Sequence, residues 1–337
     1  CRWQAERLNA GHRTDDLHQG LERLPMPTFP GDTVSSGLGG DEPPLMSEFD
    51  DGLGVITRAG HMPPRSGGED RLFYVHHRPA QRACVGQIVF VHPFADEMNK
   101  SRRMVAIQAR TLARQGWSVF QPDLSGCGDS EGDFGDASWE RWRDDLRHAV
   151  DWLLRQPVPW RAAAAPLWLW GLRAGALLAA DLARSLPQCA GLLYWQPVTA
   201  GKSTLQQFLR LKSAAALLAG DGGGGPSSGK ELRQKLAAGE SLSIAGYGLS
   251  PPLAEGLEAA TLAPPGAGTV VLWLELSTDA EPELSPAARL ITQRWREAGC
   301  SVLSRCVNGP AFWQTTEIED APALIEASIA ALAAAPA

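Results

Sequence analysis

Beyond about residue 70 the chain alternates between short apolar runs and longer segments whose apolar positions fall at helical spacing. RLFYVHHRP (71–79), GQIVFVHPF (86–94), WSVFQPDL (117–124), residues 167–170, residues 190–195, TVVLWLEL (269–276) and CSVLSRCV (300–307) read as strands. SRRMVAIQARTLARQG (101–116) reads as a helix stopped by Gly116. SWERWRDDLRHAVDWLLRQ (138–156) is strongly amphipathic, with Ser138 placed to cap it and Glu140 in its first turn. Further helices are expected at 174–185, in SPAARLITQRWREAG between the last two strands, and in APALIEASIAALAAA (321–335). Strands alternating with helices predict a mostly parallel sheet covered on both faces.

The rhythm fails in two places. Residues 1–50 are polar, rich in Gly, Pro and Asp, and without period. Such a composition does not bury enough apolar surface to order itself, so a disordered leader closing with an edge strand is expected there. Between 199 and 265, STLQQFLRLKSAAALLAG and KELRQKLAAG are helical and DGGGGPSSG between them reads as a flexible link. The expected organisation is therefore a leader (1–50) followed by one domain (51–337) with a helical cap inserted at 199–265.

Composition narrows the function. With 44% hydrophobic and 20% charged residues over 337 positions there is ample material for a core. The net charge is −7 and the 31 basic residues are scattered, which argues against a nucleic-acid partner, since binding the phosphate backbone takes a concentrated positive face. The six cysteines are widely spread with no CxxC pair, which argues against a zinc site or a disulfide framework and for reduced thiols. No stretch approaches the roughly 20 apolar residues of a membrane-spanning helix. The chain opens at Cys1 without an initiator methionine or an apolar signal region, and a cytoplasmic location is the expectation. Nothing in the sequence asks for a cofactor or a metal.

Two attractive motif matches lack their structural context. GPSSG (225–229) satisfies Gly-x-Ser-x-Gly, and GGPSSGKE (224–231) nearly spells a phosphate-binding loop. No strand precedes either, and Glu231 stands where the second motif needs a hydroxyl for magnesium. A different segment has the context. LWLWGLRAGALLAADLA (167–183) runs from an apolar strand through a Gly-x-x-x-Gly turn into a helix, the outline of a nucleophile elbow. Its middle position, where hydrolases carry serine, is Arg173.

This segment resembles the α/β-hydrolase superfamily, and other pieces follow in the matching order. VFVHPFADE is similar to the third strand and oxyanion loop, with His92-Pro93-Phe94 where His-Gly sequences usually stand. PDLSGCGDSEG resembles the loop after the fourth strand, with Cys127 in place of a histidine. More specifically, HPFADEMNKSRRM, GCGDSEGDFGDASW, LWGLRAG, YWQPVTAGKSTLQQFLRL and FWQTTEIEDAPALIEA together resemble the exosortase A system-associated hydrolase 2 family over roughly residues 70–330. The resemblance implies an α/β-hydrolase fold with about eight strands and a helical cap. It also implies a setting in bacterial exopolysaccharide biosynthesis and exosortase-dependent (PEP-CTERM) sorting, and hydrolysis of an ester or acyl bond.

Carried over position by position, the implied triad is altered. Arg173 holds the nucleophile slot, and a guanidinium stays protonated. After the seventh strand LELSTDAEPE offers Asp279 and, less well placed, Glu281 as the acid. The histidine slot in VNGPAFW is Pro310 or Ala311, and His148 is the last histidine of the chain. Ser-His-Asp chemistry lacks both its nucleophile and its base. Three readings stay open. Cys127 is a substitute nucleophile with His92 as base, provided Arg173 gives an electropositive setting. Alternatively, Arg173 and Ala174 at the elbow, with Phe94, Arg102, Arg103 and also Lys100, form an anion site for a small-molecule, lipid-phosphate or sugar-phosphate ligand. Or Arg173 pairs internally with Asp96, Glu97 or Glu317, because a buried guanidinium requires a partner. The protein is then either a hydrolase with an unorthodox centre or a catalytically silent binding protein or scaffold whose partners belong to the same system.

Overall fold

The structure is a computed structural model and describes residues 47–65, 70–156, 165–218, 228–266 and 268–335. The leader expected over residues 1–50 lies outside them except for its closing strand, β1 (Ser47–Asp50). That strand is an edge, paired antiparallel with β2 (Val55–His61). β2 pairs antiparallel with β3 (Phe73–Pro79), and β3 antiparallel with β5 (Trp117–Pro122). From β5 onward every pairing is parallel, through β4 (Gly86–Val91), β6 (Leu167–Leu172), β7 (Cys189–Trp195), β10 (Val270–Ser277) and β11 (Ser301–Asn308). The nine-stranded order is β1-β2-β3-β5-β4-β6-β7-β10-β11.

Alternation along the strands divides the core. Val89 and Val91 face one side with Phe120, Leu169, Leu192 and Trp273, under α2 (Trp139–Arg155), α3 (Gly175–Ala183) and α7 (Pro286–Glu297). Ile88 and Phe90 face the other with Trp170, Trp195 and Leu272, under α1 (Asp96–Arg114) and α8 (Pro322–Ala334). Both faces are thus covered, and central strands such as β4 and β6 are buried at every position, which is why they read as continuous apolar runs.

Two expectations about elements change. α1 begins at Asp96, not at 101, because acidic Asp96 and Glu97 suit the positive end of a helix. Lys100 therefore stands on the same helix as Arg102 and Arg103. The insertion after β7 is mainly helical, with α4 (Gly201–Leu218), α5 (Gly229–Ala237) and α6 (Pro251–Ala259), but it also holds a small hairpin of β8 (Leu242–Ile244) and β9 (Tyr247–Leu249). The glycine-rich stretch 219–227, and with it residues 225–227 of the first rejected motif and 224–227 of the second, lies outside the described residues. Ser228 and Glu231 do not: they form a reciprocal capping box at the start of α5. Among the described residues no helix is long and apolar enough to cross a membrane.

Candidate functional site

β6 delivers the chain into a tight turn at Arg173, whose φ is 54°, and α3 leaves immediately afterwards. Left-handed backbone at a non-glycine residue is costly and is retained where surrounding structure enforces it. Here the Arg173 amide donates to the Trp195 carbonyl at 3.0 Å, and its own carbonyl accepts from Ala176 and Val198. Close backbone approach makes the turn possible. A Cβ on Gly175 would stand 2.3 Å from the Val91 carbonyl oxygen, and one on Gly171 would stand 2.5 Å from the Ala176 Cα. Two further left-handed residues, Ala95 and Gln196, follow the neighbouring strands β4 and β7. Strain is therefore concentrated at the carboxyl ends of three adjacent parallel strands.

The Arg173 side chain meets Glu97 from the first turn of α1, with Nε donating to Oε1 at 3.2 Å, and its guanidinium carbon lies 5.3 Å from the centre of the Trp313 ring. Of the three carboxylates weighed for this partnership, the contact is to Glu97. Burial pushes the Glu97 carboxyl above its usual range, against the pull of Arg173. The terminal nitrogens of Arg173 have no protein partner among the described residues, and the side chain is on the wall of a cleft of about 380 Å³ with Gln196, Ser277, Asp279, Ala311 and Gln314. Gln196 also repairs the sheet where β7 ends: its Oε1 accepts from the Leu276 amide at 2.7 Å. Asp279 is fixed by Ser277, whose hydroxyl donates to its carboxylate at 2.7 Å, and its carbonyl accepts from Asn308. The turn after β6, the loop after β10 and the loop after β11 thus bring Arg173, Asp279 and Ala311 to one cleft.

His92, Phe94 and Cys127 lie elsewhere. The His92 Nδ1 is 2.8 Å from the Pro93 carbonyl, which accepts only, so Nδ1 donates and Nε2 carries the lone pair. Burial lowers the pKa of His92. Phe94 packs edge-on against Phe134, Trp142 and Phe208. Between the His92–Phe94 segment and Ala174 there remains a space of about 10 Å³, walled by Leu124 and Trp142, barely the volume of one water. Cys127 is buried, and burial together with the carboxylates of Asp123 and Asp145 pushes its thiol well above the ordinary range. That is the opposite of the electropositive setting a thiolate needs.

The three basic residues of α1 considered for an anion site are already paired. Arg102 donates to Asp123 at 3.0 Å, Arg103 holds Asp320 through two bonds of 2.9 Å, and Lys100 lies 3.2 Å from Asp96. None of the three is among the residues lining the Arg173 cleft. Sequence reading missed Gln196, Trp313 and Gln314. Gln196 left no signal, since nothing in WQPV marks a left-handed residue, whereas the tryptophan of AFW sat beside the expected histidine slot and was visible.

Comparison with known proteins supports the architecture. Residues 83–220 match a hydrolase family described as serine aminopeptidase, S33. No curated protein matches the chain in sequence. The solved structure of Est1E from Butyrivibrio proteoclasticus, determined with ferulic acid bound, superposes with a TM-score of 0.54 at 15% identity over 78% of this chain and 95% of that one. A structure described as a hydrolase from Agrobacterium vitis S4 superposes with a TM-score of 0.50 at 16% identity, over 83% of this chain and 98% of that one. A mainly parallel sheet, a strand–turn–helix elbow and loops converging from the later strands all agree with these matches, and the chain has the α/β-hydrolase fold.

Proposed function

We propose that the protein is a non-hydrolytic member of its fold, which uses the cleft at Arg173 to bind a small polar ligand rather than to cleave one. The observation that carries this reading is the state of Arg173. Glu97 and Trp313 hold its guanidinium through Nε and one face, and the terminal nitrogens are left to serve a ligand in the cleft. A planar fork of this kind suits a phosphate or carboxylate. The carboxylate of Asp279 and the amides of Gln196 and Gln314 suit hydroxyl groups. Together they favour a sugar phosphate over a simple anion. The helical insertion 199–265 acts as a cap. The sequence resemblance supplies the setting, an exopolysaccharide and exosortase system in the cytoplasm, with partners inside that system.

On this reading hydrolysis through the usual triad lacks its nucleophile and its base, since Arg173 fills the first slot and Pro310 or Ala311 the second. A relocated thiol at Cys127 is opposed by its burial beside Asp123 and Asp145 and by the closed space at Ala174.

The test is an ester-hydrolysis panel on wild type, Cys127→Ala and Arg173→Ser, paired with thermal unfolding in glucose 1-phosphate. Silence of all three on esters, with stabilisation of wild type but not of Arg173→Ser, is expected. Ester turnover lost in Cys127→Ala would replace this reading with a thiol hydrolase.

A further inference from the structure

A second cavity, of about 400 Å³, lies between α1 and the antiparallel corner of the sheet, away from the Arg173 cleft. One face of α1 supplies Met98, Arg102, Val105, Ala106 and Arg110, while β2, β3 and β5 supply Thr57, His77 and Gln121 among others. The volume falls in the range of small-molecule sites, and most of the wall is apolar. Its charges are distributed unevenly. Arg102 is neutralised by Asp123 at 3.0 Å. Arg110, half-buried on the same helix face, makes no hydrogen bond or ion pair with any described residue. Burial and the neighbouring Arg114 and Arg103 disfavour its charge, and Asp51, which would favour it, is bonded to Arg114 at 2.9 Å. A partly desolvated cation without a partner is costly, and an anion relieves that cost.

Polar groups also stand behind the rest of the wall. His77 and His92 are buried, and their Nε2 atoms, with the Nε2 of Gln121, have no hydrogen-bond partner among the described residues. The other ring nitrogen of each histidine is engaged, His77 Nδ1 with the Thr57 hydroxyl at 2.8 Å and His92 Nδ1 with the Pro93 carbonyl.

We propose that this cavity is a binding site for a small organic acid, whose carboxylate meets Arg110 and whose apolar body lies along Val75, Phe90 and Val105. The site is independent of the Arg173 cleft and of the function proposed there.

Hexanoate, hexanamide and inorganic phosphate are suitable probes, titrated calorimetrically into the full chain. Hexanoate binds in wild type, and phosphate, which lacks an apolar body, binds at least about tenfold more weakly. Arg110→Met lowers hexanoate affinity about tenfold or more and leaves hexanamide unchanged, because only the charge-assisted contact is lost. Ala106→Phe, which fills the cavity, abolishes both. Arg173→Ser leaves hexanoate binding intact. Circular dichroism confirms that each variant is folded, and wild type alone suffices if one is not. No binding of hexanoate by wild type, equal affinity for hexanoate and hexanamide, or loss of binding in Arg173→Ser overturns the proposal.

Discussion

Arg173 shows how one residue satisfies two opposing demands. A guanidinium this close to the interior needs a carboxylate, and a ligand site needs donors left over. Bonding through Nε alone meets the first demand and leaves the second open. The pair with Glu97 is mostly screened from water, with side-chain exposures of 17% and 25%, so its pairwise coupling exceeds the roughly 0.2–1 kcal/mol of a surface bridge, while burial costs both charges separately. A double-mutant cycle on Arg173→Met and Glu97→Gln, read by urea unfolding, is expected to give a coupling of about 1–2 kcal/mol; a coupling near zero means that packing on Trp313 alone holds the arginine. Cys127 offers a simpler case. With its thiol buried and held protonated, it is expected to resist iodoacetamide in the native protein, while the partly exposed Cys300 and Cys306 are expected to be alkylated. Alkylation of native Cys127 at a comparable rate would revive the thiol as a candidate nucleophile. Sequence placed Arg173 at the turn but could not choose among Asp96, Glu97 and Glu317, because that choice depends on where α1 begins.

Elements were legible where burial was uniform or cleanly one-sided. β4 and β6 are buried along their whole length and α2 carries a clear apolar face with Ser138 capping it, so pattern and structure agree. β2 was silent. VITRAGH is half-exposed and lies between two antiparallel neighbours, so neither alternation nor a continuous apolar run marks it. The β8–β9 hairpin was missed for another reason: its turn places Ala245 and Gly246 at φ of 48° and 86°, where asparagine or glycine is the usual signal. The elbow was legible through its glycines, and they carry a test. In Gly175→Ala the new methyl meets the Val91 carbonyl oxygen at 2.3 Å, backbone against backbone with no side chain to move. Destabilisation is expected at or above the roughly 1–3 kcal/mol of ordinary overpacking. A variant as stable as wild type by urea unfolding would mean the turn is looser than this geometry.

At the scale of the whole molecule, the parallel half of the sheet carries the cleft and the antiparallel corner carries buried histidines. His76 is held to a pKa of about 3 by burial, with Arg78, His77 and Arg58 adding repulsion, and its Nε2 is bonded to the Ser118 hydroxyl. His77 is held to about 4 by burial and Arg110, with Asp51 opposing. Both therefore fold as neutral rings, whereas the unfolded chain protonates them near pH 6.5. Between pH 6.5 and about 4 the unfolded state binds more protons, so stability is full above this window and falls as pH drops through it. The upper bound is about 1.4 kcal/mol for each pH unit and each histidine. Asp51, lowered against the effect of burial by the Val55 and Leu53 amides and then by Arg114, and Glu131, lowered by bonds to Arg71, begin to matter only below their unfolded values of 3.8 and 4.5. Glu97, raised by burial, acts in the opposite sense and gains stability on protonation, which partly offsets the loss. Urea midpoints measured from pH 7 to pH 4.5 are expected to fall steeply for wild type and to flatten in the double variant His76→Gln and His77→Gln. A wild-type midpoint constant across that range would mean the corner opens to solvent and the rings titrate normally.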